Sequence, residues 1–146
     1  MRLLILGGTR FLGRAIVEAA LANGHTVSLF HRGRTNPDLF PDLEHLHGDR
    51  DGNLDALHGR SWDAVIDTCG YVPRIVRDSA TLLADHVDHY TFISSISVYS
   101  DTSHQPMDES APLGTLADET VEEVTSETYG PLKVLCEQAA HEAMNG

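Results

Sequence analysis

The sequence has little cysteine and no long hydrophobic run, and each shortage excludes a class of protein. Only two of its 146 residues are cysteines, Cys69 and Cys136, and their spacing suggests neither a metal site nor a paired bridge. We interpret both as reduced thiols, which favours a cytoplasmic protein. The apolar run after Met1 is too short for a secretory signal, and no stretch approaches the roughly 20 residues that span a bilayer. No membrane partner is therefore expected.

Basic residues are scarce as well. The chain has 10 Lys and Arg against 22 Asp and Glu, a formal net charge of −12. Because nucleic-acid binding needs clustered cations on phosphates, no nucleic-acid partner is expected. The charge is uneven, since residues 1–50 carry six Arg against five acids whereas residues 101–128 carry eight acids and no Lys or Arg. The N-terminal half can therefore accept an anionic ligand.

Nine histidines are scattered along the chain. The closest pairs are His45/His47 and His86/His89, and neither has a neighbouring cysteine or a regular set of carboxylates. No metal site is predicted for this reason, and the histidines are interpreted as exposed or capping residues.

A glycine-rich turn near the N-terminus carries the strongest functional signal. The preceding run is wholly apolar, and from Phe11 onward the apolar period becomes helical, which indicates a buried strand turning directly into a helix. The first N–H groups of such a helix lack internal partners and favour an anion, here a pyrophosphate. Glycines permit the tight turn and the close approach of backbone to phosphate. The cofactor-binding residues predicted from this turn are Gly7, Gly8, Thr9, Arg10, Phe11, Leu12 and Gly13.

Arg10 occupies the middle of the Gly7-x-x-Arg10-x-x-Gly13 spacing. Two interpretations are open for it. It is either a solvated residue of the first helical turn or a cationic contact to a cofactor phosphate.

The end of the predicted second strand indicates which dinucleotide fits. An acid at this position accepts a hydrogen bond from a free ribose 2′-hydroxyl, whereas arginine suits a 2′-phosphate. No Asp or Glu occurs between Ala19 and Pro37, and the strand runs into Arg32 and Arg34. NADP is therefore the predicted cofactor, with Arg32 as a contact and NAD as second choice. If both arginines are ordinary loop charges, the preference stays open.

Two further cofactor contacts are predicted at strand ends. Asp49 follows the third strand, where it either meets the adenine edge or caps a short helix at Leu54–His58. Thr68 follows the fourth strand, at the carboxyl edge on which open α/β sheets bind ligands.

Strand patterns alternate with helical patterns along the whole chain. Strands are predicted at Leu3–Leu6, Thr26–Phe30, Glu44–Leu46, Trp62–Asp67 and Tyr90–Ser94. Such alternation predicts a Rossmann-type, doubly wound parallel α/β sheet in the order 3-2-1-4-5. Residues 1–146 are taken as one NAD(P)-binding domain, in which the acidic stretch 101–128 is irregular, either a lid or poorly ordered.

Tyr129 and Lys133 lie four residues apart at the start of the last predicted helix, on one helical face. A cation beside a phenol stabilises the phenolate and favours acid–base chemistry near neutrality. The alternative is that this helix simply packs Tyr129 in the core. Ser95, just beyond the fifth strand, is predicted to hold a substrate carbonyl or carbinol, with Ser94 and Ser97 as competing positions.

Four segments in this order resemble the short-chain dehydrogenase/reductase superfamily, specifically its extended and atypical branch of NAD(P)-dependent sugar-nucleotide epimerases and dehydratases. They are the glycine turn, residues 92–99, residues 107–113 and Tyr129-x-x-x-Lys133. The resemblance implies a catalytic role for Ser95, acid–base catalysis by Tyr129, and a Lys133 that bridges Tyr129 and the nicotinamide ribose. It also implies hydride exchange with a small-molecule substrate, with a nucleotide sugar as one class.

Two features depart from that family pattern. Arg10 replaces the middle glycine, as in an atypical subgroup that includes plastid RNA-binding relatives, and residues 67–70 replace the usual ending of the fourth strand. The competing hypotheses are a non-catalytic NAD(P)-binding sensor or interaction module and an RNA-binding protein. The excess of acidic residues weakens the second of these.

Members of the family continue for about another 100 to 200 residues. The chain is therefore interpreted as a fragment without the last strands and the substrate lobe, and turnover is expected of a longer form. The apolar face of the last helix should then be incompletely covered, and the fifth strand should be an open edge, which favours self-association. The helix residues concerned are Leu132, Val134, Leu135, Ala139 and Met144.

Overall fold

The computed structural model describes residues 1–103 and 106–145, which form one five-stranded parallel sheet with three α-helices. The strands are β1 (Arg2–Leu6), β2 (Thr26–His31), β3 (Glu44–His47), β4 (Trp62–Asp67) and β5 (Val87–Phe92). The helices are α1 (Phe11–Ala22), α2 (Pro73–Leu83) and α3 (Tyr129–Met144), and short 3-10 turns lie at Asp55–Leu57, Ala84–His86 and Ile96–Val98. Among the described residues, no helix has the length and apolar character needed to cross a membrane.

The sheet has the order β3-β2-β1-β4-β5, and every neighbouring pair is parallel. This confirms the predicted Rossmann-type architecture and strand order. Because all strands run the same way, their carboxyl ends meet at one edge of the sheet. The chain winds outward from β1 first through β2 and β3 and then through β4 and β5. Open α/β sheets bind ligands at such a reversal, which here lies between β1 and β4.

The core has two layers because alternate side chains of β1 point to opposite faces of the sheet. Leu4 and Leu6 pack on one face with Leu83 of α2. Leu3 and Ile5 pack on the other face in a cluster that includes residues of α1. Burying one such side chain contributes about 1.5–3 kcal/mol, so the two layers hold β1 and the glycine turn that follows it in place.

Helix α3 is better covered than expected. Leu132 and Ala139 are fully buried and Val134 is nearly so, while Leu135 and Met144 are half-buried. The expectation of an incompletely covered face is therefore wrong for Leu132, Val134 and Ala139, because α3 packs along α2 and over β5.

Strand β5 lies three residues earlier at its start than the apolar pattern predicted. Val87 pairs with Trp62 and Phe92 pairs with Asp67, so β5 ends level with β4. Ser95 consequently lies in the loop beyond the strand. Within the described residues β5 has a strand neighbour on one side alone, which confirms the open edge. Self-association through it stays a prediction.

The acidic segment is irregular, as predicted. Residues 101–103 and 106–128 contain no helix or strand, and residues 104 and 105 of this segment lie outside the described residues. Gly114 N donates to Val98 O over 2.7 Å, and Arg74 Nε donates to Glu122 over 2.7 Å. The segment is thus anchored both to the loop beyond β5 and to the start of α2.

Candidate functional site

The turn between β1 and α1 has a backbone that glycine adopts without strain. Gly7 has a φ of 102° and Gly8 a φ of 97°. A Cβ atom on Gly13 would lie 2.8 Å from the backbone nitrogen of Gly8, closer than real Cβ atoms come. The turn and the first turn of α1 therefore touch backbone to backbone, which places the N-terminus of α1 at the carboxyl edge of the sheet.

The amino end of α1 carries no side-chain cap. Arg10 occupies the N-cap position without a capping hydrogen bond, and the first helical turn contains no acidic residue. The amide donors at this end are therefore available to an anion. The chemistry of this end suits a pyrophosphate, because uncapped backbone N–H groups at a helix start are donors to phosphate oxygens.

One cavity of about 730 Å³ opens at this edge. Its volume lies within the range of about 300–1,000 Å³ that is usual for small-molecule sites. Every residue predicted to bind the cofactor lines it, namely Gly7, Gly8, Thr9, Arg10, Phe11, Leu12, Gly13, Arg32, Asp49 and Thr68. These residues come from the four segments that follow β1, β2, β3 and β4, the first of which includes the start of α1. The fold thus gathers into one place what the sequence separates by up to 61 positions.

Thr68 and Asp49 are held in different ways. Thr68 Oγ1 donates to Leu6 O over 2.8 Å, and it packs against Gly7. Asp49 accepts a hydrogen bond from Asp51 N over 3.2 Å. It caps no helix, because Leu54 occupies the N-cap of the 3-10 turn that follows. The capping alternative is therefore wrong, and the carboxylate lies in the cavity wall.

Arg10 and Phe11 form the mouth of the cavity. Both are exposed, and Phe11 presents 91% of its surface to solvent. Its φ of 43° lies in the left-handed region. A non-glycine residue there costs about 1–3 kcal/mol and persists where the surrounding structure imposes it. The residue after the glycine turn thus combines a strained backbone with an exposed aromatic ring in the cavity lining.

The loop after β2, which carries Arg32 along the cavity wall, is fastened to the glycine turn. Asn36 Nδ2 donates to Thr9 O over 2.8 Å, and Gly33 N donates to His31 Nδ1 over 2.9 Å. Arg32 itself is exposed. Its charge is therefore presented to a ligand from a loop that the turn and β2 position together.

Three histidines at the ends of β2 and β3 form a cluster beside this loop. Because His31 Nδ1 accepts from Gly33 N, the proton of a neutral His31 lies on Nε2, which donates to His45 Nδ1 over 2.7 Å. His45 Nε2 then donates to Phe40 O over 3.0 Å. The ring of His47 lies edge-on to His31 with centroids 5.0 Å apart. This chain of hydrogen bonds requires neutral rings.

The interpretation of these histidines as exposed or capping residues is wrong for His31 and His45, which are half-buried. Burial, together with His45 and His47, lowers the pKa of His31. The available sequence signal was the alternation of His45 and His47 along one strand. The pairing of His31 with His47 across the sheet appears only in the strand register.

Acidification should destabilise the protein through His31. Its pKa is lower in the folded state, so as the pH falls below about 6.5 the unfolded chain takes up the proton first. The contribution of His31 to the free energy of unfolding is therefore complete above that pH and declines below it. The variant His31→Asn retains an acceptor for Gly33 N but does not titrate, so its free energy of unfolding should depend less on pH between about 6.5 and 5.

Denaturant unfolding at a series of pH values measures this difference. His58→Asn, at an exposed histidine, is the matched control and should retain the wild-type dependence. If the free energy of unfolding of His31→Asn depended on pH as steeply as that of the wild type, the lowered pKa of His31 would be contradicted.

A buried ion pair joins the cavity wall to the end of β4. Arg50 Nη1 lies 2.7 Å from Asp67 Oδ1 and Nη2 lies 2.8 Å from Oδ2. Arg50 Nη2 also donates to Ser79 Oγ, and the hydroxyl of Tyr90 donates to Asp67. Burial acts to lower the pKa of Arg50, but the Asp67 carboxylate outweighs it and raises that pKa. Burial and the same carboxylate raise the pKa of Tyr90 well above its usual value, so its phenol stays protonated.

This network went unrecognised in the sequence. Its members lie between 11 and 40 residues apart and belong to no local motif. The one available signal was an aspartate, Asp67, at the end of an apolar strand, where a buried carboxylate demands a partner.

Lys133 is buried where the ends of β4 and β5 meet α3. Its Nζ donates to Gly70 O over 2.8 Å and to Ile93 O over 2.7 Å, and it lies 3.9 Å from the centroid of the Phe92 ring. Burial lowers the pKa of Lys133. Two backbone carbonyls and an aromatic face thus surround the ammonium.

Tyr129 and Ser95 lie in two segments that touch, the start of α3 and the 3-10 turn that follows β5. Tyr129 begins α3 and is half-buried, and its ring centroid lies 6.4 Å from that of Tyr71, a residue of the cavity wall. A Cβ on Gly130 would collide with Ser97 O, so the start of α3 lies directly on the 3-10 turn beyond β5. Ser95 caps this turn, with its Oγ accepting from Ser97 N over 3.1 Å. All three predicted catalytic residues thus lie at the edge that carries the glycine turn, beside the cavity and outside its lining.

A family model described as the NAD dependent epimerase/dehydratase family matches residues 3–145. Among curated proteins, the chloroplast stem-loop binding protein of 41 kDa b from Arabidopsis thaliana is 30% identical over 114 residues. That alignment covers 67% of this chain and 30% of the relative.

Solved structures show the same fold. A UDP-N-acetylglucosamine 4-epimerase from Bacillus cereus matches with a TM-score of 0.72 and 21% identity, over 99% of this chain and 51% of that one. The Bordetella bronchiseptica enzyme WbmG, solved with NAD and UDP, matches with a TM-score of 0.75 and 16% identity, over 97% of this chain and 49% of that one. The chain thus spans about half the length of these structures.

Proposed function

The chain belongs to the NAD dependent epimerase/dehydratase family, and we propose that it binds a nicotinamide dinucleotide in the cavity beside the glycine turn, with NADP preferred to NAD. The observation that carries this proposal is the convergence of ten residues, from the segments that follow four strands, on one cavity at the reversal point of the sheet. The cradle of Gly7, Gly8 and Gly13 receives the pyrophosphate, and Arg32 receives the 2′-phosphate.

The reaction proposed for this site is hydride exchange at a carbinol or ketone carbon. The bound nicotinamide supplies or accepts the hydride. Tyr129 moves the proton of the substrate oxygen as general acid or base. Ser95 Oγ already accepts a hydrogen bond from Ser97 N, so its O–H is free to donate to that oxygen. Lys133 lies one helical turn after Tyr129 in α3, and its proposed role is to place a positive charge beside the phenol and the ribose hydroxyls.

The substrate class proposed is a nucleotide sugar. Support comes from the solved neighbours, which include a UDP-N-acetylglucosamine 4-epimerase and an enzyme in complex with NAD and UDP. RNA is not proposed as a ligand, although the Arabidopsis relative is named for stem-loop binding. A net charge of −12 would repel a phosphate backbone.

Titration with NADPH and NADH tests the cofactor proposal. The wild-type protein should bind both, and NADPH more tightly. Arg32→Gln removes the charge that faces the 2′-phosphate. It should lower the affinity for NADPH about fivefold, the value of one exposed ion pair, and leave the affinity for NADH unchanged.

Arg77→Gln is the matched control, since Arg77 lies on α2 outside the cavity. Affinities are measured by calorimetry or by nicotinamide fluorescence. Failure of the wild-type protein to bind either dinucleotide would overturn the proposed function. Equal losses for both dinucleotides in Arg32→Gln would overturn the NADP preference alone.

A further inference from the structure

We propose that Tyr71 is the aromatic surface on which the nicotinamide end of the dinucleotide rests, between the cavity and Tyr129. The inference depends on the proposed function, because it assigns the position of one end of that cofactor. Tyr71 lies three residues after Thr68 in the segment that follows β4.

The topology decides which end of the dinucleotide lies near Tyr71. The glycine turn holds the pyrophosphate at the middle of the sheet, between β1 and β4. Arg32 and Asp49 follow β2 and β3, so the adenosine half lies on that side. The other half of the molecule must then extend across β4 towards β5. Tyr71 follows β4, and Tyr129 and Lys133 lie beyond it.

Among the residues that line the cavity after β4, Tyr71 has the largest flat side chain. Its neighbours Thr68 and Cys69 are small. Tyr71 is 47% exposed, so one part of its ring is open to a ligand while the rest is covered. Aromatic rings pair in offset or tilted arrangements with centroids about 4.5–7 Å apart, which a nicotinamide ring also satisfies.

Two neighbours of Tyr71 lie outside the cavity lining. Its ring centroid lies 6.4 Å from that of Tyr129, at an interplanar angle of 37°, and 5.7 Å from Lys133 Nζ. Burial, with contributions from Cys69 and Tyr129, raises the pKa of Tyr71 despite the opposing charge of Arg10, so its phenol stays neutral. A neutral ring in fixed contact with Tyr129 therefore sets the distance between the dinucleotide and the proposed acid–base group.

The experiment compares two compounds that differ in the part that Tyr71 would contact. NADPH contains the nicotinamide, whereas adenosine 2′,5′-bisphosphate contains only the adenosine half with its 2′-phosphate. Tyr71→Leu keeps much of the bulk and removes the aromatic face. It should lower the affinity for NADPH about threefold to tenfold, as expected for one aromatic pair. The affinity for adenosine 2′,5′-bisphosphate should stay within about twofold of the wild-type value. Tyr71→Phe keeps the face and should bind both ligands like the wild type.

Tyr99→Leu is the matched control, a half-buried tyrosine outside the cavity lining, and it should alter neither affinity. Retained binding of adenosine 2′,5′-bisphosphate by Tyr71→Leu also shows that the variant is folded. Unchanged NADPH affinity in Tyr71→Leu, or equal losses for both ligands, would overturn this inference while leaving the proposed function standing. Absence of NADPH binding by the wild-type protein would overturn both.

Discussion

Replacing Asp67 with asparagine should lower the free energy of unfolding by about 3–5 kcal/mol, the usual cost of removing one partner of a buried ion pair. Asp67 is fully buried, and its carboxylate accepts hydrogen bonds from both terminal nitrogens of Arg50 over 2.7 and 2.8 Å. The variant keeps the shape but leaves the Arg50 charge without compensation. It also removes a charged acceptor from the Tyr90 hydroxyl. Denaturant unfolding followed by circular dichroism measures the change.

A surface ion pair provides the control for this prediction. Arg14 and Glu18 are 2.7 Å apart but more than half exposed, so Glu18→Gln should cost about 0.5 kcal/mol or less. The double variant Arg50→Met/Asp67→Leu replaces both charges with apolar groups and should regain much of the loss. A loss below about 1 kcal/mol in Asp67→Asn would show that the pair contributes no more than a surface contact.

Replacing Tyr129 with phenylalanine should slow hydride exchange by about 10²- to 10⁴-fold, the range attributed to general acid–base catalysis. The change removes one hydroxyl and keeps the ring that packs beside Tyr71. Affinity for NADPH should therefore stay within about twofold of the wild type. The rate is measured on the protein loaded with NADP, from the nicotinamide absorbance after adding UDP-galactose or UDP-N-acetylglucosamine.

Tyr90→Phe serves as the matched control, because its hydroxyl contacts the buried carboxylate of Asp67 and belongs to the network behind the cavity wall. It should alter stability and leave the hydride-exchange rate near that of the wild type. Exchange at the wild-type rate in Tyr129→Phe would remove Tyr129 from the proposed chemistry. No exchange by the wild-type protein with either sugar would remove nucleotide sugars of this kind from the proposed substrates.

Much of the fold was predictable because its signals are local. The apolar runs that became β1 and β4, the proline at the start of α2 and the glycines after β1 each depend on neighbouring residues alone. β5 was misplaced because the polar residues Asp88 and His89 interrupt the apolar pattern at its start, and only pairing with β4 shows that the ladder runs from Val87 to Phe92. The covering of α3 was misjudged for the same kind of reason. Its partner, α2, lies more than 40 positions away in sequence.

The candidate site divides in the same way. The glycine turn, Arg32, Asp49 and Thr68 were found because each follows a strand, and in a parallel sheet all strand ends meet at one edge. Arg50, His31 and Tyr71 were missed as site residues, since their roles depend on partners in other loops. The residues found from the sequence were recognised by their charge and type. Those missed are recognised only by their burial and by their distances to other side chains.

The order of short apolar runs and helical patterns was enough by itself to determine a Rossmann-type sheet and an anion cradle after β1, because backbone periodicity and glycine conformations are properties of adjacent residues. Only the tertiary structure decided that Arg50 is neutralised by Asp67, that His31 is held neutral by Gly33 and His45, and that Tyr71 lies between the cavity and Tyr129. Each of these depends on the distance between side chains from separate elements. Such distances are set by how the sheet and helices pack together.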